Sequence, residues 1–179
     1  MTDSLDAGRV ASAGRADSGG RVDSAGRVDA GGRVDSGGVG RVAFARISDE
    51  PITVEECDLA VATATAGGVV AFAGVVRNHD EGRGVLTLDY TAHPSAGDVI
   101  ASVADAVAAE FPGVNLAVVH RIGALQIGDI AIACAAASAH RAEAFAACAR
   151  LVDAVKESVP IWKEQAFTDG TTEWVASLG

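Results

Sequence analysis

From residue 53 onward, apolar runs and polar breaks alternate in a way that assigns elements directly. Thr53, with Glu56 three positions later, is a capping-box signature and predicts a short helix over "TVEECDLAVATA" (53–64). "GGVVAFAGVVR" (67–77) is β-branched and apolar throughout, the pattern of a buried strand. The loop "NHDEGRG" breaks it, and "VLTLDYTAH" (85–93) resumes as a strand with partial alternation. Ser95 with Asp98 opens a helix that Pro112-Gly113 ends. "VNLAVVHRIG" and "DIAIACAAAS" are strands joined by a turn around "QIGD". "HRAEAFAACARLVDAVKESV" is a long helix capped by Ser138, with Phe145, Ala149, Val152 and Val155 spaced for its buried face, and Pro160 stops it. "IWKEQAF" and "TEWVAS" follow as short strands about the turn "TDGT". The order β-β-α-β-β-α-β-β predicts an α+β fold. Its sheet is mixed or largely antiparallel, its helices pack on one face, and a small β-hairpin closes the C-terminal region.

The pattern before residue 47 is of another kind. Residues 8–37 repeat with a period of six, "GRVASA", "GRADSG", "GRVDSA", "GRVDAG", "GRVDSG". Hexapeptide periodicity can signal a left-handed β-helix. These repeats are too few for two coils, and each offers one valine at most against the ordering entropy of its glycines. The expectation is a disordered, low-complexity tail over residues 1–46 and one folded domain over 47–179. The tail holds seven of the 14 basic residues and six of the 24 acidic ones, leaving the body seven and 18, a net −11. Such a body disfavours nucleic acid and anionic membrane surfaces as partners. The N-terminal residues show no basic, then apolar, leader pattern, and no apolar run approaches the length of a membrane span. Cys57, Cys134 and Cys148 are odd in number and widely spaced, as expected of reduced thiols in a cytoplasmic protein.

Seven cations remain from which an anion site can be built: Arg77, Arg83, Arg121, Arg141, Arg150, Lys156 and Lys163. The two lysines are the only ones in the chain, seven residues apart on either side of Pro160. Surface lysines are normally numerous and scattered, so confinement to one segment suggests a task for the ammonium groups. "VVRNH" sets Arg77 and His79 where a strand runs into a loop, and "VVHRIG" does the same with His120 and Arg121. Taken singly, each fits a strand-end arginine in water, and Trp162 beside Lys163 fits a ring packed on a lysine stem. "SAHRAEAF" puts His140 and Arg141 at a helix start, where free N–H groups and the dipole favour an anion. Together the cations cluster at element ends, which suits a small anionic substrate. No Walker loop, GxGxxG, GxSxG or HExxH occurs, so nucleotide, serine-hydrolase and zincin chemistry lack support.

The blocks "GVVAFAGVVRNH", "VVHRIGALQIGD", "SAHRAEAF" and "VKESVPIWKEQ", in this order, resemble the catalytic (large) subunit family of molybdopterin synthase over about residues 47–176. The resemblance implies an α/β-hammerhead-like fold and sulfur insertion into cyclic pyranopterin monophosphate, giving the dithiolene of molybdopterin. It implies that sulfur arrives as the C-terminal Gly-Gly thiocarboxylate of a small ubiquitin-like partner, and that no cofactor or bound metal is required. By the same resemblance Lys156 meets the thiocarboxylate and its adduct. Lys163 and Arg77 hold pterin or phosphate, and His140 and Arg141 complete the anion pocket. The sequence departs from the family after "WV", where a further basic stretch with an arginine is common, and in the "EQ" that follows Lys163.

Arg141 and Lys156 stand 15 residues apart on one predicted helix, roughly 22 Å along its axis. A pocket using both is most simply shared across a homodimer, within a heterotetramer that includes the partner. A non-catalytic homologue that still binds the partner is the chief alternative. A hexapeptide-repeat acyltransferase fails because the repeats never reach the body.

Overall fold

The computed structural model describes residues 40–176, and the hexapeptide repeats therefore lie outside the described residues. The boundary expected at residue 46 falls inside a strand. β1 (Arg41–Ser48) runs parallel to β5 (Asn115–Arg121), so the folded body begins ahead of residue 47. Sequence reasoning missed β1 because "RVAFARIS" follows the glycine repeats and carries an arginine near each end, which masks its alternation.

Four strands form the first sheet in the order β1-β5-β7-β2, with β7 (Ile130–Ser138) antiparallel to both β5 and β2 (Gly68–Val75). The central strands β5 and β7 are buried on both faces, which explains why they read as unbroken apolar runs. The period of two divides their side chains. Leu116, Val118, Ile132, Cys134 and Ala136 pack under α2 (Ala96–Glu110) and α3 (Arg141–Ser158). Ala117, Val119, Ala133, Ala135 and Ala137 pack with Cys57 and Val61 of α1 (Val54–Val61). The expectation of helices on one face thus holds for α2 and α3, while α1 covers the other. Thr53 caps α1 as predicted, its hydroxyl accepting from the Glu56 N–H at 3.2 Å.

The second sheet has the order β3-β4-β8-β9, formed by β3 (His79–Asp80), β4 (Arg83–Ala92), β8 (Ile161–Phe167) and β9 (Thr172–Ala176). β6 (Gly123–Leu125) adds to β4, and β8–β9 is the expected C-terminal hairpin. β3 and β6 were not predicted, being too short to show a period.

Two faces expected to be buried are open. β2 lies at the edge of its sheet, with Val69, Phe72 and Val75 each more than a third exposed. On α3 the buried stripe is Ala144, Ala147, Cys148, Leu151, Val152, Ala154 and Val155, and Phe145 is 60% exposed. Phe72, Phe145, Ala149 and Val152 instead line an open apolar groove along β2. The predicted stripe on α3 was rotated toward this groove. Ser138 ends β7 rather than capping α3, whose N-cap is His140, and its hydroxyl donates to Glu143 Oε2 at 2.6 Å.

Candidate active site

A cavity of about 410 Å³ opens where the end of β2, the C-terminal end of α3 and the second sheet meet. Arg77, Lys156 and Lys163 all line it, with His79, Asp80, Tyr90, His120 and Gln165. Three of the five predicted site residues therefore converge, including both lysines of the chain.

Each arrives by a separate local rule. Arg77 follows β2, just past Val76, whose N–H still bonds the Asp129 carbonyl, and its side chain is 67% exposed at the mouth. Lys156 lies in the last turn of α3, where free carbonyls and the helix dipole favour a cation. Lys163 lies on β8 opposite Tyr90 of β4, and Gln165 opposite Leu88. The period of two turns Lys163 and Gln165 to the cavity side and Trp162 and Glu164 to the other. Trp162 is thus not the packing partner of the Lys163 stem, as its neighbouring position suggested.

One acid stands among these cations. Asp80 Oδ2 accepts from Gln165 Nε2 at 2.7 Å and from Lys163 Nζ at 3.2 Å, and its Oδ1 accepts from an Arg77 Nη at 3.2 Å. The Gln165 hydrogen bond first, and that of Lys163 after it, hold the Asp80 carboxyl below the ordinary carboxylate range. Burial raises the Tyr90 phenol, and the Asp80 charge adds to the effect.

His120 is 5% exposed, with its ring edge-to-face with Tyr90 at 5.1 Å and 81°. Its Nδ1 lies 2.8 Å from the Arg121 carbonyl, which can only accept, so Nδ1 carries the proton and Nε2 the lone pair. Burial, and then the charge of Lys156, push His120 down to about 4. It is neutral at pH 7. Arg121 turns away to pair with Asp129 at 3.0 Å.

His140 and Arg141 are not in this cavity. They line a separate hollow with Gly67, Ala139 and Ala142, at the other end of β2 and α3. Gly68 lies against Arg141 there, where a Cβ would come within 3.1 Å of the arginine Cα. Asp80, Tyr90 and Gln165 were missed by sequence reasoning. The alternation of "IWKEQAF" was a usable signal for Gln165 beside Lys163, whereas nothing local marks the fold-back that brings Asp80 to them.

The cysteines stay out of the site. All three are buried free thiols, and burial pushes Cys57 up to about 12, far from a reactive thiolate. What the cavity offers is three cations, one anchored carboxylate, the buried neutral imidazole of His120 and the ring of His79, suited to binding an anion and stabilising charge that develops on it.

The family model described as "MoaE protein" matches residues 47–158. The molybdopterin synthase catalytic subunit of Nostoc sp. is 39% identical over 132 residues, covering 73% of this chain and 80% of that one. Catalytic subunit 1 from Mycobacterium tuberculosis is 39% identical over 137 residues, covering 76% and 92%. Among solved structures, molybdopterin synthase from Staphylococcus aureus superposes with a TM-score of 0.69 at 36% identity, over 74% of this chain and 96% of that one. With the lysine-bearing cavity and the two-sheet fold already in place, these matches make the chain a member of the MoaE family, that of molybdopterin synthase catalytic subunits.

Proposed function

We propose that the cavity transfers sulfur from the C-terminal thiocarboxylate of a small ubiquitin-like partner to cyclic pyranopterin monophosphate, forming the dithiolene of molybdopterin. Family membership already makes the chain an enzyme of molybdenum cofactor biosynthesis. The observation that carries the finer reading is the convergence of Arg77 and both lysines on one cavity. Substrate and partner tail are both anions, and each needs a cation at close range. Lys156, on the exposed last turn of α3, meets the thiocarboxylate and the adduct formed from it. Lys163 and Arg77 hold pterin or phosphate. Sulfur comes on the partner and positive charge on side chains, so the reaction so read uses no resident cofactor or metal. The cytoplasm is the compartment assigned, in keeping with three buried thiols.

His140 and Arg141 serve the pocket of a second copy in this reading. Support comes from the open edge of β2, which has the His140–Arg141 hollow near Gly68 and the lysine cavity at Gly74 and Val75. Two β2 edges paired antiparallel about Ala71 and Phe72 set residue 68 of one against residue 75 of the other. That exchange brings the helix-start pair of one subunit to the lysines of its partner and covers the exposed Val69, Phe72, Val75 and Phe145. The homodimer so formed carries one small subunit at each cavity, a heterotetramer.

The test is anaerobic incubation of the chain with cyclic pyranopterin monophosphate and thiocarboxylated partner, followed by assay for molybdopterin. Formation that requires Lys156 is expected. A protein that binds the partner yet yields no molybdopterin would instead be the non-catalytic homologue.

A further inference from the structure

Among the described residues Asp80 is the only carboxylate lining the cavity, facing three cations that also line it. It stands on the two-residue strand β3, folded back on β4 through Glu81 and Gly82, both at positive φ, 47° and 80°. A non-glycine residue in that region is uncommon, so the turn is held by its surroundings. Its carboxylate makes three hydrogen bonds, and the shortest comes from Gln165, which is 2% exposed. A buried amide on a central strand of its sheet cannot swing outward, and the carboxylate it holds is therefore a fixed point. Lys163 and Arg77 have long chains with much rotamer freedom, and here both end on that point.

We propose that Asp80, anchored by Gln165, is a positioning residue that fixes Lys163 and Arg77 as one receptor and offsets one of the cavity's three positive charges. This deepens the reading above and rests on it for the identity of the anion. Two effects of opposite sign follow. Without the carboxylate, the cations bind a ground-state anion more tightly because the cavity gains net positive charge. They stabilise the reacting geometry less well because Lys163 is no longer held. A carboxylate that merely stabilised the fold would produce neither.

Asp80→Asn is the informative variant: with its amide oxygen in the place of Oδ2 it accepts from Gln165 Nε2 and keeps the shape, while the charge that Lys163 and Arg77 pair with is lost. The chain has two lysines, so protein grown with isotope-labelled lysine gives two side-chain resonances, assigned with Lys163→Arg. In Asp80→Asn the Lys163 signal is expected to move and the Lys156 signal to stay. Affinity for inorganic pyrophosphate at low salt should rise by about threefold. In turnover with thiocarboxylated partner, kcat should fall by roughly tenfold to a hundredfold while KM falls or holds. Asp80→Glu should recover most of kcat. An unmoved Lys163 signal together with unchanged pyrophosphate affinity, or unchanged kcat in an active enzyme, overturns the proposal. If wild-type protein makes no molybdopterin while both binding readouts behave as stated, the sulfur-transfer reading fails and the role of Asp80 stands.

Discussion

Lys156 projects from the last turn of α3 and is exposed, so its removal takes away charge and almost no packing. Lys156→Ala should therefore lower molybdopterin formation by more than about a hundredfold, with the thermal midpoint unchanged. Activity within twofold of wild type, in a stoichiometric assay, would sink the assignment. Lys163→Ala should reduce activity strongly and leave Asp80 to Gln165 and Arg77. His120 gives a prediction about pH. Its folded pKa of about 4 lies below the ordinary histidine value of 6.5, so the unfolded chain takes up its proton first as pH falls. The fold keeps its full stability above about 6.5 and loses up to about 3 kcal/mol from this group as pH drops toward 4. Urea midpoints at pH 7.5 and 4.5 measure the loss, and His120→Gln should flatten it. Asp80 acts at lower pH with the same outcome, since its depressed carboxyl loses its contribution as acid protonates it. Arg77 and the two lysines could be singled out in sequence because positive charge is scarce in the body, whereas His140 and Arg141, singled out the same way, line a separate hollow. Asp80 could not be singled out, because its neighbours Lys163 and Gln165 are more than 80 residues away.

At the scale of elements, β1 decides where the folded body starts. Val42, Ala45 and Ile47 pack against the main core, and β1 covers the β5 edge along its length. Deleting residues 1–48 should cost on the order of 3 kcal/mol or more from these side chains and the lost ladder. Deleting only residues 1–39 should change the unfolding free energy by less than about 1 kcal/mol, because hexads with one valine at most offer little to bury. Comparable losses in both truncations, measured by denaturant unfolding, would give the repeats a structural role. Long elements are legible in the sequence nearly to the residue, α2 and α3 by their period and β5 and β7 as continuous apolar runs. What escaped was direction. The apolar pattern of β2 and the Phe145 stripe of α3 say that a surface avoids water, but not whether this chain or another covers it.

At the scale of the molecule, the separation of Arg141 from Lys156 along α3 becomes a test of assembly. Mixing Arg141→Ala with Lys156→Ala subunits should restore activity, because one cavity of each mixed dimer then has both groups intact. No recovery despite proven subunit exchange, or a fully active monomer, would rule out the shared pocket. A different property of the whole fold follows from the run Ala133, Ala135 and Ala137 on one face of β7 and Ala136 on the other. Alanine has no side-chain rotamers to lose on burial, whereas leucine or isoleucine forfeits about 0.5–1 kcal/mol. This stretch of β7 is thus ordered at almost no cost in side-chain entropy, a cost that would otherwise grow with temperature. The same economy leaves little slack, since most of the side chains packed with Ala135 are themselves small, among them Ala117, Ala133, Ala137 and Cys57. Ala135→Leu should therefore be far more damaging than a volume change of that size in a leucine-rich core.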